Sequence, residues 1–120
     1  DVFMLLDLNK VPEVYIVCGY TDLRKSIDGF ASIIQDNFNI NPMTNAMFLF
    51  CNRLKNKLKI LYWDKDGFWL LYKRLENSKF RWPKSFEEIK MISKKQLEWL
   101  LEGLEIEQKY YHQEIKVELA

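Results

Sequence analysis

The sequence predicts an α+β fold: an antiparallel β-meander of four to five strands, a helix after strand one, and a second helix towards the C-terminus. Three observations lead there. Between residues 46 and 82, short apolar or alternating runs are separated by turns too brief for a crossover connection. Before them, Leu23, Ile27, Phe30, Ile34 and Phe38 recur at spacings of four, three, four and four, which is the stripe of an amphipathic helix. After them, Ser93 and Gln96 make a capping box ahead of Leu97, Leu100, Leu101 and Leu104.

Taken in order, Val14, Tyr15, Ile16, Val17 and Cys18 form an apolar, β-branched run ended by Gly19, the pattern of a buried strand. Thr21 is the expected N-cap of a helix over 22–37, with Asp22 in the first turn, where the helix dipole favours a carboxylate. Gly29 costs about 1 kcal/mol inside a helix, which points to close packing against the sheet. Residues 39–45 contain Pro42 and read as a loop. Strands are expected at 46–51, 58–63, 68–75 and 79–82, with Asp64-Lys65-Asp66-Gly67 and Asn77-Ser78 as turns and Pro83 closing the last strand. In 68–75, Phe68, Leu70 and Tyr72 alternate with Trp69 and Leu71, so both faces are apolar and a central position is expected. Ser85 and Glu88 offer a second, shorter capping box reaching Ile92, and Gly103 is placed to end the last helix. One domain over 1–106 is expected, followed by an acidic tail, 107–120, whose conformation the pattern leaves unassigned although Ile115, Val117 and Leu119 alternate.

Composition narrows the function classes. The 120 residues are 48% hydrophobic and 29% charged, enough apolar material for a core and against wholesale disorder. The longest apolar run, 46–51, is far below the roughly 18–20 residues that span a bilayer. No secretion-signal pattern opens the sequence. Cys18 and Cys51 both end apolar runs, make no CxxC pair, and read as buried thiols in a reducing compartment, so a cytoplasmic location is expected.

Catalytic constellations are scarce. His112 is the sole histidine and lies in the polar tail, which argues against histidine catalysis and zinc. Asp64 and Asp66 could flank Mg²⁺, yet aspartate before glycine is also what a β-turn prefers. Neither GxxxxGK[ST] nor GxGxxG occurs. The expectation is a protein that is not an enzyme, with no cofactor and no metal.

Charge is distributed in blocks. The overall +1 conceals three basic against six acidic residues in 1–52, thirteen against five in 53–95, and two against six in 96–120. The basic block holds Trp63, Trp69 and Trp82, and cations with aromatics are the composition of a nucleic-acid surface. A β-sheet with a solvated lysine face has the same composition, so both readings stay open. Arg53, Lys55, Lys57 and Lys59 alternate with Leu54, Asn56, Leu58 and Ile60; if extended, four cations line one face of a hairpin arm about 7 Å apart. Lys73, Arg74, Lys79, Arg81 and Lys84 could extend the patch, and Arg24 and Lys25 could meet phosphate at a helix start.

Five motifs add a resemblance. Gly19-Tyr20-Thr21-Asp22-Leu23-Arg24-Lys25-Ser26-Ile27-Asp28-Gly29 resembles G-P-T-D-M-R-K-G-I-D-G, and Leu58-Lys59-Ile60-Leu61-Tyr62-Trp63-Asp64-Lys65-Asp66-Gly67-Phe68 resembles K-L-L-x-W-D-x-x-G-F. Tyr72-Lys73-Arg74-Leu75-Glu76, Phe80-Arg81-Trp82-Pro83, and Gln96-Leu97 with Leu100-Leu101-Glu102-Gly103 are similar to Y-K-R-L-E, F-x-W-P and Q-L…L-L-x-G. In this order they resemble the small TnpB-type accessory protein, the second open reading frame of bacterial insertion sequences of family sixty-six. Tyr20 stands where that family usually has proline, and Ser26 where it usually has glycine.

The resemblance implies an accessory factor for transposition, working beside a separate transposase. On it rests the expectation of DNA contact, at element ends, through Arg24, Lys25, Arg53, Lys55, Lys57, Lys73, Arg74 and Arg81. The alternative is a protein–protein adaptor docking on the transposase or another accessory protein, with Trp99 as anchor. No membrane partner is expected.

Overall fold

The computed structural model describes residues 13–108. Its elements are β1 (Glu13–Val17), α1 (Ile27–Phe38), β2 (Ala46–Cys51), β3 (Lys57–Asp64), β4 (Gly67–Arg74), β5 (Ile89–Ile92) and α2 (Lys94–Leu101). The class is α+β, with five strands in one sheet ordered β4-β3-β2-β1-β5. β2, β3 and β4 form the expected antiparallel meander. β1 joins β2 in parallel, as a connection through a helix allows, and β5 pairs antiparallel with β1. The alternation at 115–119 and His112 lie outside the described residues.

Every side chain of β2 is buried, which accounts for its unbroken apolar run. On one face, Phe48 and Phe50 meet Phe30 and Ile34 of α1, with the Phe30 and Phe50 rings 4.7 Å apart. On the other face, Met47, Leu49 and Cys51 join Ile16, Leu58 and Ile60 under Leu97, Leu100 and Leu101 of α2. β2 is therefore the central strand. β4, expected at the centre, is an edge strand that leaves Trp69 and Tyr72 half exposed. Two apolar faces signalled a strand there but could not report how many strands flank it.

Residues 79–82 are not a strand. Phe80 and Trp82 are buried against the α2 side of the sheet while Lys79 and Arg81 are exposed, so the alternation records burial without a ladder. The segment is pinned individually: Phe80 N–H donates to the Lys55 carbonyl at 2.7 Å, Trp82 Nε1–H to the Val17 carbonyl at 2.8 Å, and Gly19 N–H to the Pro83 carbonyl at 2.8 Å. The fifth strand comes instead from 89–92, where a short helix was expected. Ile89 and Ile92 pack in clusters on opposite faces of the sheet, a period the capping-box pattern had hidden.

α1 starts five residues later than expected. Ser26, not Thr21, is the N-cap, its hydroxyl accepting from Gly29 N–H at 3.3 Å. Thr21 N–H is committed to the Cys51 carbonyl at 2.8 Å, and Asp22 accepts from Arg24 N–H at 3.0 Å, so the preceding turn is built by other bonds. A Cβ on Gly29 would meet Lys25 Cβ at 3.1 Å, so the tight neighbour is the loop entering the helix and not the sheet. α2 has the expected capping box: Ser93 Oγ accepts from Gln96 N–H at 3.1 Å and Ser93 N–H donates to Gln96 Oε1 at 2.8 Å. Gly103, with φ 82°, follows it in the left-handed region.

Trp82→Ala is expected to cost about 3–5 kcal/mol, and Ser93→Ala about 1 kcal/mol, measured from urea denaturation. A Trp82→Ala loss no greater than that of Ser93→Ala would mean that 79–83 contributes little to the core.

Candidate nucleic-acid interface

β1 and β2 run parallel and finish at one end of the sheet, where β3 begins, β4 finishes and β5 starts. Arg53, Lys55, Lys57, Lys73 and Arg74 of the basic block lie at this end, whereas Lys65, Lys94 and Lys95 lie at the other. Asn52 organises the β2–β3 turn: its Oδ1 accepts from Asn56 N–H at 3.1 Å and Lys57 N–H at 3.0 Å, while its Nδ2 donates to Asn56 Oδ1 at 2.8 Å. Lys55 takes a left-handed φ of 63° there. Arg53 and Lys55 consequently occupy the turn, and of the four alternating cations only Lys57 and Lys59 share a strand face. The expected row of four on one extended arm is absent because the turn starts two residues after Cys51.

Several of these cations already have partners. Lys59 is half-buried and its Nζ donates to the Leu23 carbonyl at 2.7 Å, between the Phe30 and Tyr72 rings at 5.9 and 6.0 Å. Lys73 Nζ donates to the Leu101 carbonyl at 3.1 Å, satisfying the last turn of α2. Arg74, opposite Lys57 across the ladder, pairs with Glu76 at 2.7 Å, which raises its affinity for the proton. Arg24 grips Asp22 through Nε at 2.9 Å and a terminal nitrogen at 2.8 Å. These bonds hold the Asp22 carboxyl well below the usual carboxylate range. Both partners are exposed, so the pair is screened by solvent. Lys25 is exposed just before the Ser26 cap.

Of the remaining predicted cations, two meet on the α2 side of the sheet. Lys55 and Arg81 line an open groove of about 820 Å³ with Lys79, Lys84 and Lys90. Its lining includes Phe80, Trp82 and Pro83, together with Glu105, Ile106 and Glu107. Lys90 was missed from the sequence; reading the run Ile89-Lys90-Met91-Ile92 as a strand was the step that could have found it. Among the described residues, Lys55, Lys79, Arg81 and Lys84 make no ion pair, whereas Lys90 reaches Glu107 only at 4.0 Å. Trp99, the expected protein anchor, is half-buried on α2.

Other candidate chemistry is quieter. Asp64 and Asp66 flank the β3–β4 turn, with Asp64 Oδ2 accepting from Trp69 Nε1–H at 3.2 Å. Among the described residues, no group of three or more His, Cys, Asp or Glu side chains could hold a metal ion. Cys18 and Cys51 are buried as expected, and burial pushes the Cys51 thiol up to about 12.

A family model described as IS66 Orf2-like protein matches residues 12–111, spanning the whole sheet, both helices and the groove. The chain belongs to that family. Membership implies an accessory role in transposition. Among curated proteins, the chain is similar to the uncharacterised protein y4hO of Sinorhizobium fredii, 34% identical over 77% of this chain and 80% of that one. It is also similar to the uncharacterised protein y4jC of the same organism, 26% identical over 70% of this chain and 72% of that one. No solved structure matches. Among the described residues, no helix of this IS66 Orf2-like chain is long and apolar enough to cross a membrane.

With its thiol near 12, Cys51 is thiolate in roughly one molecule in ten thousand at pH 8. A maleimide or disulfide reagent is expected to leave both cysteines of the native protein unlabelled over minutes and to label two after denaturation. Rapid labelling of the native chain would contradict the burial of these residues.

Proposed function

We propose that this IS66 Orf2-like chain serves transposition by contacting DNA through the basic groove at the β2–β3 end of the sheet. The observation that carries the reading is the contrast in pairing. Arg24, Arg74, Lys59 and Lys73 are engaged by carboxylates or carbonyls, while Lys55, Lys79, Arg81 and Lys84 gather round one groove without an ion pair among the described residues. Unengaged cations on a concave surface suit a phosphate backbone, which supplies affinity in register without reading sequence. Arg53, Lys57 and Lys25 extend the same sheet end, and Arg24 and Arg74 could exchange their solvent-screened partners for phosphate. Discrimination of element ends would need base contacts or duplex shape in addition.

An adaptor docking on the transposase is the second reading. It is favoured by β4, an edge strand exposing Trp69 and Tyr72, and it takes Trp99 as a further anchor.

Titration of labelled duplex carrying the element's terminal repeats, with scrambled duplex as control, distinguishes the two. Contacts by five groove cations give a log–log salt slope of about −4 to −5. Lys55→Glu with Arg81→Glu is expected to weaken binding more than tenfold and flatten the slope by about two, with an unchanged circular dichroism spectrum. Affinity that survives the double change would remove the groove from the reading. Absence of binding near physiological salt would overturn DNA contact and leave the adaptor.

A further inference from the structure

Tyr20 and Phe86 are half or more exposed, at 50% and 61%, yet they are not scattered surface residues. Their rings touch edge to face, with centroids 5.1 Å apart at 84°, and the Arg53 guanidinium lies 5.7 Å from the Tyr20 ring. The pair is held from beneath. Gly19 adopts φ 76°, and any Cβ there would fall 2.8 Å from the Phe86 ring, so the absent side chain makes room for the aromatic. Gly19 N–H donates to the Pro83 carbonyl and Cys18 N–H to the Glu88 carbonyl, at 2.8 and 2.9 Å, which ties the loop carrying Phe86 to the end of β1. Two large apolar rings are thus presented to water on a fixed frame, where folding alone would favour burying them.

Their location supplies the occupant. Arg53 and Lys55 share one turn, and Lys84 precedes Phe86 by two residues, so the aromatic pair borders the basic groove. Glu87 and Glu88, next in the chain, and Glu105 and Glu107 of the groove lining are the neighbouring carboxylates, four against the five groove cations and Arg53. Flat, exposed rings beside a track of cations, four of them without an ion pair among the described residues, match the requirements of an unpaired nucleotide: phosphates along the groove, base against a ring. In duplex DNA the base faces are already stacked on their neighbours.

Resting on the DNA reading above, we infer that Tyr20 and Phe86, with Arg53, form a base-stacking platform, so that the chain engages single-stranded or locally melted DNA in addition to duplex phosphate. An exposed aromatic corner also suits a protein hot spot; the flanking charge favours nucleic acid, and the test below separates them.

Full-length protein is titrated with a labelled 20-nucleotide single strand, a blunt duplex, and a duplex with a single-stranded overhang, each strand form also carrying 2-aminopurine. The chain is expected to quench 2-aminopurine in the single strand and overhang but not in the blunt duplex. Tyr20→Ala and Phe86→Leu are expected to weaken single-strand and overhang binding about tenfold and abolish the quenching, with duplex affinity and salt slope held within about twofold. Phe86→Leu keeps apolar bulk over Gly19, and Phe86→Trp should restore quenching, so a folding defect is distinguishable from a lost stacking face. Equal losses on duplex and single strand, or unchanged quenching in the variants, would overturn the platform while leaving the groove reading intact. Failure of the unaltered chain to bind any of the three would overturn the DNA reading itself, and the platform with it.

Discussion

β2 meets water on neither face, and the arrangement of the whole chain follows from that burial. A strand with the sequence Ala-Met-Phe-Leu-Phe-Cys must be covered twice. α1 supplies one cover through Phe30 and Ile34. α2 is only eight residues long and cannot span the other face by itself. The extended segment 79–83 completes that cover by inserting Phe80 and Trp82 beside Leu97 and Leu100. A chain alternating in this way must expose every other side chain, and those are Lys79 and Arg81. The basic groove is in this sense a consequence of how the second face of β2 is closed.

The same arrangement sorts the cations by role. A lysine whose ammonium reaches a backbone carbonyl, as Lys59 and Lys73 do, holds two elements together and is poorly placed to serve a ligand. Arg24 and Arg74 are tied to carboxylates in solvent, where such pairs contribute little to stability and can be exchanged. The cations of 79–84 lie on a segment whose Phe80 amide, Trp82 indole and Pro83 carbonyl are already committed to the β2–β3 turn, to Val17 and to Gly19. Their backbone is fixed while their side chains are exposed, the combination that lets a surface bind without first being ordered.

Much of this was legible in the sequence, because it is local. The capping box at Ser93 and Gln96, the stop at Gly103 and the Asp64–Gly67 turn are each decided within a few residues and stand where the pattern put them, as does the stripe of α1 from Ile27 onward. What depends on distant partners was not legible. Period-2 burial at 79–82 looks the same whether or not a neighbouring strand exists, and the apolar faces of β4 carry no record of its place at the edge. Thr21 has the chemistry of a cap, but the capping bond is made by Ser26, whose hydroxyl accepts from Gly29 N–H once the 19–25 turn is fixed by longer-range contacts. Of the eight cations singled out by pattern, Lys55 and Arg81 line the groove, and alternation could not separate those that brace the fold from those left to solvent.

Acidic residues in the wall of the groove sharpen this last distinction. Glu105 and Glu107 line it together with the cations, and a strong internal pair would close the groove to any anion. The contact formed is Lys90 to Glu107 at 4.0 Å, with the two side chains 44% and 77% exposed. At that distance and exposure the attraction is small and falls further with salt, so an entering phosphate displaces it at little cost. Lys79, Arg81 and Lys84 form no ion pair with this wall. The wall therefore lowers the net charge of the groove without pairing with Lys79, Arg81 or Lys84, whose side chains stay exposed.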